Sequence, residues 1–159
     1  MALKEGLAAE AYRHTQTGPL SWLLAAIGCV QLVTGAWLWR DPRVGGILLA
    51  VGVVVLLLAS MFHNLTVEDE GEELAIRFGP TPLFQKRLKY DAIRSVDIGK
   101  TRLIEGLGIH MIRPGVWIWN LWGRDCVIVD HDSGTLKIGT DEPQELARFL
   151  SGRIQDTAA

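Results

Sequence analysis

The residues best suited to chemistry are His14, His63, His110, His131, Cys29, Cys126 and the loop Asp130-His131-Asp132-Ser133-Gly134. A histidine works as a general base or metal ligand only with a nucleophile, carboxylate or further ligands brought to it. None of the four has such a partner at a recognisable spacing. The chain carries no Gly-x-Ser-x-Gly, no His-Glu-x-x-His and no phosphate-binding glycine loop. Asp130 and Asp132, with Asp141 beyond, have part of the spacing of a calcium loop. Gly134 stands fifth, however, where an oxygen ligand belongs, and no bidentate Glu closes the loop. A hairpin turn accounts for these residues. The two cysteines lie in different halves of the chain and suggest no disulfide framework. The expectation is a protein with no catalytic residues, no metal site and no cofactor.

Two surface clusters suit binding better. Lys86, Arg87 and Lys89 form a basic group, with Arg87 and Lys89 on one strand face and Lys86 on the other. Near an anionic leaflet each such cation contributes ~1 kcal/mol, so this cluster is a candidate lipid contact. The second cluster is Trp117, Trp119 and Trp122, flanked by Arg113 and Arg124. Trp and Arg anchor protein interfaces. Trp117 and Trp119 share a face, against Val116 and Ile118, so both faces of that strand are apolar. One must be core; the other is covered or open to a partner.

The elements that hold these clusters divide sharply. Residues 1–63 carry only Lys4, Arg13, Arg40, Arg43, Glu5, Glu10 and Asp41 as charges. Residues 64–159 carry twelve Lys or Arg and fifteen Asp or Glu, a net of −3. With no basic excess there, nucleic acid is not an expected partner.

Residues 19–39 and 44–62 contain no charge. Twenty-one helical residues at ~1.5 Å each cover ~32 Å, one hydrocarbon core. Trp22 marks one end of the first run, and Trp37 and Trp39 the other, as interfacial indoles do. Arg40-Asp41-Pro42-Arg43 is turn chemistry, and so short a turn makes the helices antiparallel neighbours. A secretory signal peptide fits badly, because the run is too long and lacks a small-x-small cleavage site. Ser21, Gly28 and Gly35 recur every seven residues, as do Gly45, Gly52 and Ala59. Seven residues are nearly two turns, so each set lines one face. Two such faces are expected to form the hairpin seam, because association in lipid relies on close packing over small residues. Gln31, near the middle of its span, needs a hydrogen-bond partner there.

After His63 the period becomes two. Leu65-Thr66-Val67 and Leu74-Ala75-Ile76-Arg77-Phe78 flank an acidic glycine turn and predict a hairpin. Further short strands are expected around Phe84–Tyr90, Ile93–Ile98, Ile109–Ile112, Gly115–Leu121, Cys126–Val129 and Leu136–Ile138. A last helix, 141–154, can be capped by Thr140 or Asp141 and has an apolar face at Leu146, Phe149 and Leu150. The expected divisions are a tail (1–18), a two-helix membrane hairpin (19–63), a β domain (64–154) and a tail (155–159).

Leu74-Ala-Ile-Arg-Phe-Gly79, Ile93-Arg-Ser-Val96, Gly106-Leu-Gly-Ile109, Gly115-Val-Trp-Ile-Trp-Asn120 and Lys137-Ile-Gly-Thr-Asp-Glu-Pro143, in this order, resemble the bacterial pleckstrin-homology-like domain family in its membrane-anchored form. The resemblance covers roughly Leu65 to Arg153. It implies a seven-strand, partly open barrel capped by a helix, and no activity. The expected role is a membrane-anchored interaction or scaffold module, an accessory or assembly subunit of a larger membrane complex. Its partners would be membrane lipid and another membrane protein or its own copies. The alternative is an anionic-lipid sensor using the basic strand. The site would be the inner, cytoplasmic membrane, with both termini and the β domain in the cytoplasm.

Overall fold

The computed structural model describes residues 11–81, 83–102 and 106–158. Two apolar helices, α1 (Leu20–Trp37) and α2 (Pro42–Met61), run antiparallel. The Asp41 carboxylate accepts from Arg43 N (3.1 Å) and Val44 N (3.4 Å), and Pro42 fills the first turn of α2, so the chain reverses within a few residues. The buried positions are Ser21, Gly28 and Gly35 on α1 and Gly45, Gly52 and Ala59 on α2. A Cβ built on Gly35 would lie 3.0 Å from Gly45 O, and one on Gly45 2.9 Å from Gly35 O. Leu23, Ile27, Val30, Val33, Val54 and Leu57 point outward, uncovered.

The hairpin interrupts a β-sheet. β1 (Arg13–Thr17) pairs antiparallel with β2 (Asn64–Asp69), with Thr17 opposite Asn64. β1 leads into α1, and α2 leads back into β2. The span expected to be an N-terminal tail therefore supplies a strand to the β domain. The chain turns at Gly71, whose N–H donates to Asp69 Oδ1 (2.9 Å), and continues through β3 (Glu73–Phe78) and β4 (Phe84–Lys89). The first sheet has the order β1-β2-β3-β4. A single 3-10 turn, Tyr90–Ala92, leads to the second sheet. Its strands are β5 (Ile93–Lys100), β6 (Gly108–Arg113), β7 (Val116–Asn120), β8 (Asp125–His131) and β9 (Gly134–Gly139). Their order is β5-β8-β9-β7-β6, with β7 and β9 parallel.

Among the described residues the strands number nine, not the expected seven, and lie in two sheets that form no closed barrel. The strand not expected is β1, too polar to stand out as one; β6 and β7 fall where strands were expected and join the second sheet through the parallel β7–β9 pairing. Helix α3 spans Pro143–Ala158, so it takes in most of the expected C-terminal tail. Thr140 Oγ1 accepts from Glu142 N (3.1 Å) just ahead of it.

Leu65, Val67, Leu74, Ile76 and Phe78 of the first sheet face Trp119, Val127, Val129, Leu136 and Ile138 of the second, and Leu146 and Leu150 of α3 join the same core. Phe78 and Trp119 meet with ring centroids 5.8 Å apart. At one end the domain is locked to the hairpin. Gly79 has φ +72, and a Cβ there would lie 2.7 Å from Met61 O. Only glycine tolerates both constraints. Phe62, just past α2, packs its ring on Phe78 (5.4 Å) and Phe84 (6.0 Å). Gln16 Nε2 donates to Trp122 O (3.0 Å), and Leu121 Cγ lies 3.1 Å from where a Gly18 Cβ would stand.

Candidate functional site

His14, His63, Asp130 and Asp132 are held in structural pairings. Asp130 accepts from Thr135 Oγ1 (2.6 Å) and Ser95 Oγ (3.2 Å), and Asp132 accepts from Arg94 Nε (2.9 Å). The loop 130–134 is the β8–β9 turn. Among the described residues no three His, Cys, Asp or Glu side chains group as metal ligands do. His14 lies between two carboxylates, Nε2 to Asp141 (2.6 Å) and Nδ1 to Glu142 (3.0 Å), and so ties β1 to the start of α3. His63 Nδ1 lies 3.1 Å from Ser21 Oγ, but that hydroxyl donates to Gly18 O (2.8 Å). A nucleophilic serine must give its proton to the imidazole, whereas the Ser21 hydroxyl is directed to the Gly18 carbonyl. The pair joins α1 to the α2–β2 junction. Cys29 is exposed and Cys126 buried, and no disulfide joins them.

The tryptophan cluster is split. Trp119 is only 7% exposed and belongs to the core, whereas Trp117, on the same face of β7, is 39% exposed. Met111 of β6 stands opposite Trp117 and is 52% exposed. The core-facing side of β6–β7 therefore runs on past its cover, with Met111 and Trp117 as an uncovered extension of the core. β6 is also the outer strand of its sheet, and Ile112 on its other face is exposed. Arg113 sits at this end, by the β6–β7 turn. Trp122 and Arg124 lie at the opposite end of β7, beside the hairpin. The five expected interface residues do not form one patch, because strand length separates them: five residues of β7 span about 16 Å.

The basic strand, β4, starts at Phe84, beside the hairpin, and runs away from it. Lys89 is five residues on, about 17 Å further. Arg87 Nε is 3.4 Å from Glu70 Oε2. Lys89 shares a recess of about 410 Å³ with Glu72, Tyr90, Asp91 and Arg153 at the far end of the domain. There Asp69 accepts from Tyr90 Oη (2.8 Å) and from Arg153. Burial alone would raise the Asp69 carboxyl, but hydrogen bonds from Tyr90, Gly71 N and Arg153, with the Arg153 charge, hold it below its ordinary value. Tyr90 is pushed up, by burial first and then by Asp69. His131 is pushed down by burial and by the charge of Lys86.

At the hairpin end, Thr101, Arg102, Leu107, Trp122 and Arg124 border a mainly apolar recess of about 420 Å³. Arg124 Nε reaches Thr101 O (3.4 Å). Leu83 and Phe84 are exposed at the same end. Sequence reading missed Met111, Leu83, Phe84 and Leu107. The available signal was an apolar pair at Leu83-Phe84 directly after the Gly79-Pro80-Thr81-Pro82 turn, and another at Met111-Ile112 within one short strand. Gln31 Oε1 is buried with no hydrogen-bond partner among the described residues. No protein-family model matches the chain, and no curated protein matches it.

Proposed function

We propose that this chain is a membrane-anchored interaction module. The α1–α2 hairpin crosses the inner membrane, and the β domain, of pleckstrin-homology-like type, holds a partner polypeptide at the cytoplasmic surface as an accessory or assembly subunit of a larger complex. The support for a membrane location is the outer surface of the hairpin. Both helices are long and apolar enough to cross a bilayer, and their apolar side chains face outward rather than into the β domain. Left in water, that surface would cost about 25 cal/mol per Å². The support for a pleckstrin-homology-like type is the two-sheet β domain closed at one side by a C-terminal helix.

The observation that carries the interaction reading is the exposed apolar pair of Met111, on the edge strand β6, and Trp117, opposite it on β7. An unpaired edge is a template for another strand, and apolar side chains beside it select what pairs. The fitting occupant is an extended apolar segment of a membrane partner, added as a strand to β6. The basic strand β4 fits an anionic-lipid sensor less well, because it points away from the hairpin and Arg87 is engaged by Glu70.

The test is affinity purification of the full chain from its own membranes, with a photo-cross-linking residue at Met111. The expected result is a stoichiometric polypeptide that cross-links at 111 and is lost with Met111→Glu, while the melting temperature holds. A wild-type chain that purifies alone, with no cross-link at 111, would contradict it.

A further inference from the structure

We infer that the end of the β domain from which the hairpin emerges is itself a lipid-contact surface, in which Leu83, Phe84, Leu107 and Trp122 enter the headgroup layer and Arg102 and Arg124 meet lipid phosphates. This rests on the reading of the hairpin as membrane-spanning and goes beyond it, since a hairpin can anchor a domain that otherwise floats free.

The apolar residues of the surface are held in level with a helix end. Phe84 stacks on Phe62, the first residue after α2, and Gly79 lies against the Met61 carbonyl at the foot of the same turn. Leu83 next to it is 68% exposed. On the other side, Leu121 touches Gly18 and the Trp122 carbonyl takes the Gln16 amide, two to four residues before α1 begins. Gly108 pairs with Asn120, which sets Leu107 beside the same turn. No helix end can enter the bilayer without carrying these side chains to the interface.

Their chemistry suits that layer. Indole and guanidinium groups favour the headgroup level, where one part of the side chain is apolar and the other meets water and phosphate. The planar guanidinium matches phosphate oxygens. Asp125, the acid next to Arg124, is 3.5 Å from Lys100 Nζ. The recess bordered by Leu107, Trp122 and the two arginines is mainly apolar with cationic groups among its lining, a combination that suits the glycerol and phosphate of a phospholipid. The hairpin's own leaflet is the one occupant already continuous with this surface.

The test uses the full chain with Cys29→Ala, leaving Cys126 buried, and a single added cysteine at Leu83, Trp122 or, as the far-end reference, Glu72. Each carries an environment-sensitive dye and is reconstituted in phosphatidylcholine–phosphatidylglycerol vesicles with and without a shallow nitroxide lipid. Quenching at 83 and 122 is expected to exceed that at 72 by about three-fold or more. Leu107→Cys replaces Trp122→Cys if the latter does not fold. Equal, weak quenching at all positions in a chain that floats with the vesicles overturns the inference and leaves the anchor intact. A chain that does not float at all overturns the anchor. Photo-cross-links from 83 and 122 to another polypeptide in native membranes, with no quenching, overturn it in favour of a protein occupant. Arg102→Glu with Arg124→Glu should at least halve the quenching at 122; unchanged quenching removes the phosphate contact.

Discussion

Gly28 and Gly52 stand against each other across the hairpin: a Cβ on Gly28 would lie 3.2 Å from Gly52 O, and one on Gly52 3.1 Å from Gly28 O. The neighbours are backbone atoms and cannot swing aside. Leu56 and Leu32 close the same gaps at 2.8 and 2.9 Å. Gly28→Leu or Gly52→Leu should therefore separate the helices and destabilise the hairpin by about 1–3 kcal/mol. Gly46→Ala is the control, since nothing lies within 4 Å of its Cβ position. Thermal unfolding in detergent checks this. Equal melting temperatures for Gly28→Leu and Gly46→Ala would count against the seam.

Gly79→Ala should loosen the joint between hairpin and β domain. Its positive φ and the Met61 carbonyl both oppose a side chain. Hydrogen exchange around Phe62, Phe78 and Phe84 should rise, while α3 keeps its protection. Uniform protection would mean that the joint tolerates the change.

Trp119 and Trp117 should separate folding from association. Trp119→Ala removes a core side chain packed on Phe78 and should cost about 3–5 kcal/mol. Trp117→Ala removes an exposed ring and should leave the melting temperature nearly unchanged while weakening partner recovery. The reverse pattern, read by near-ultraviolet circular dichroism and co-purification, would refute the assignment of Trp117 to the contact surface.

Asp69 should make stability acid-sensitive. Its folded-state value lies below the unfolded one, so its contribution is full above the ordinary carboxylate range and is lost as the pH falls through the folded value. His131, also lowered, acts in the same sense starting nearer neutrality, because the fold favours its neutral ring. Asp69→Asn should cost about 2 kcal/mol near neutral pH. The difference from wild type should shrink below about pH 4. A pH-independent difference would show that the Asp69–Arg153–Tyr90 cluster adds only packing.

Much of this organisation was legible in the residues. The charge-free runs located both helices to within two or three residues, and the seven-residue spacing picked out Ser21, Gly28, Gly35, Gly45, Gly52 and Ala59, the positions the helices bury. Alternation located the β2–β3 hairpin and the β8–β9 turn. What escaped was set by contacts distant in sequence. Arg13-His14-Thr15-Gln16-Thr17 has no apolar face to announce a strand; it becomes one because Thr15 and Thr66, 51 positions apart, pair across β1 and β2. Trp117 and Trp119 look equivalent in any local pattern. Only the presence of Phe78 over one of them, and the lack of a cover over the other, tells them apart. The side on which Lys86, Arg87 and Lys89 lie depends on the direction in which β4 leaves the hairpin, which no local pattern encodes.

The central claim is that residues of α1 and α2 lie in hydrocarbon. Membranes from cells expressing the full chain, washed with alkaline carbonate and floated on a density gradient, give the most direct reading. The chain should stay with the lipid fraction and leave it only in detergent. A chain that washes into the supernatant as a monodisperse species without detergent would contradict the account.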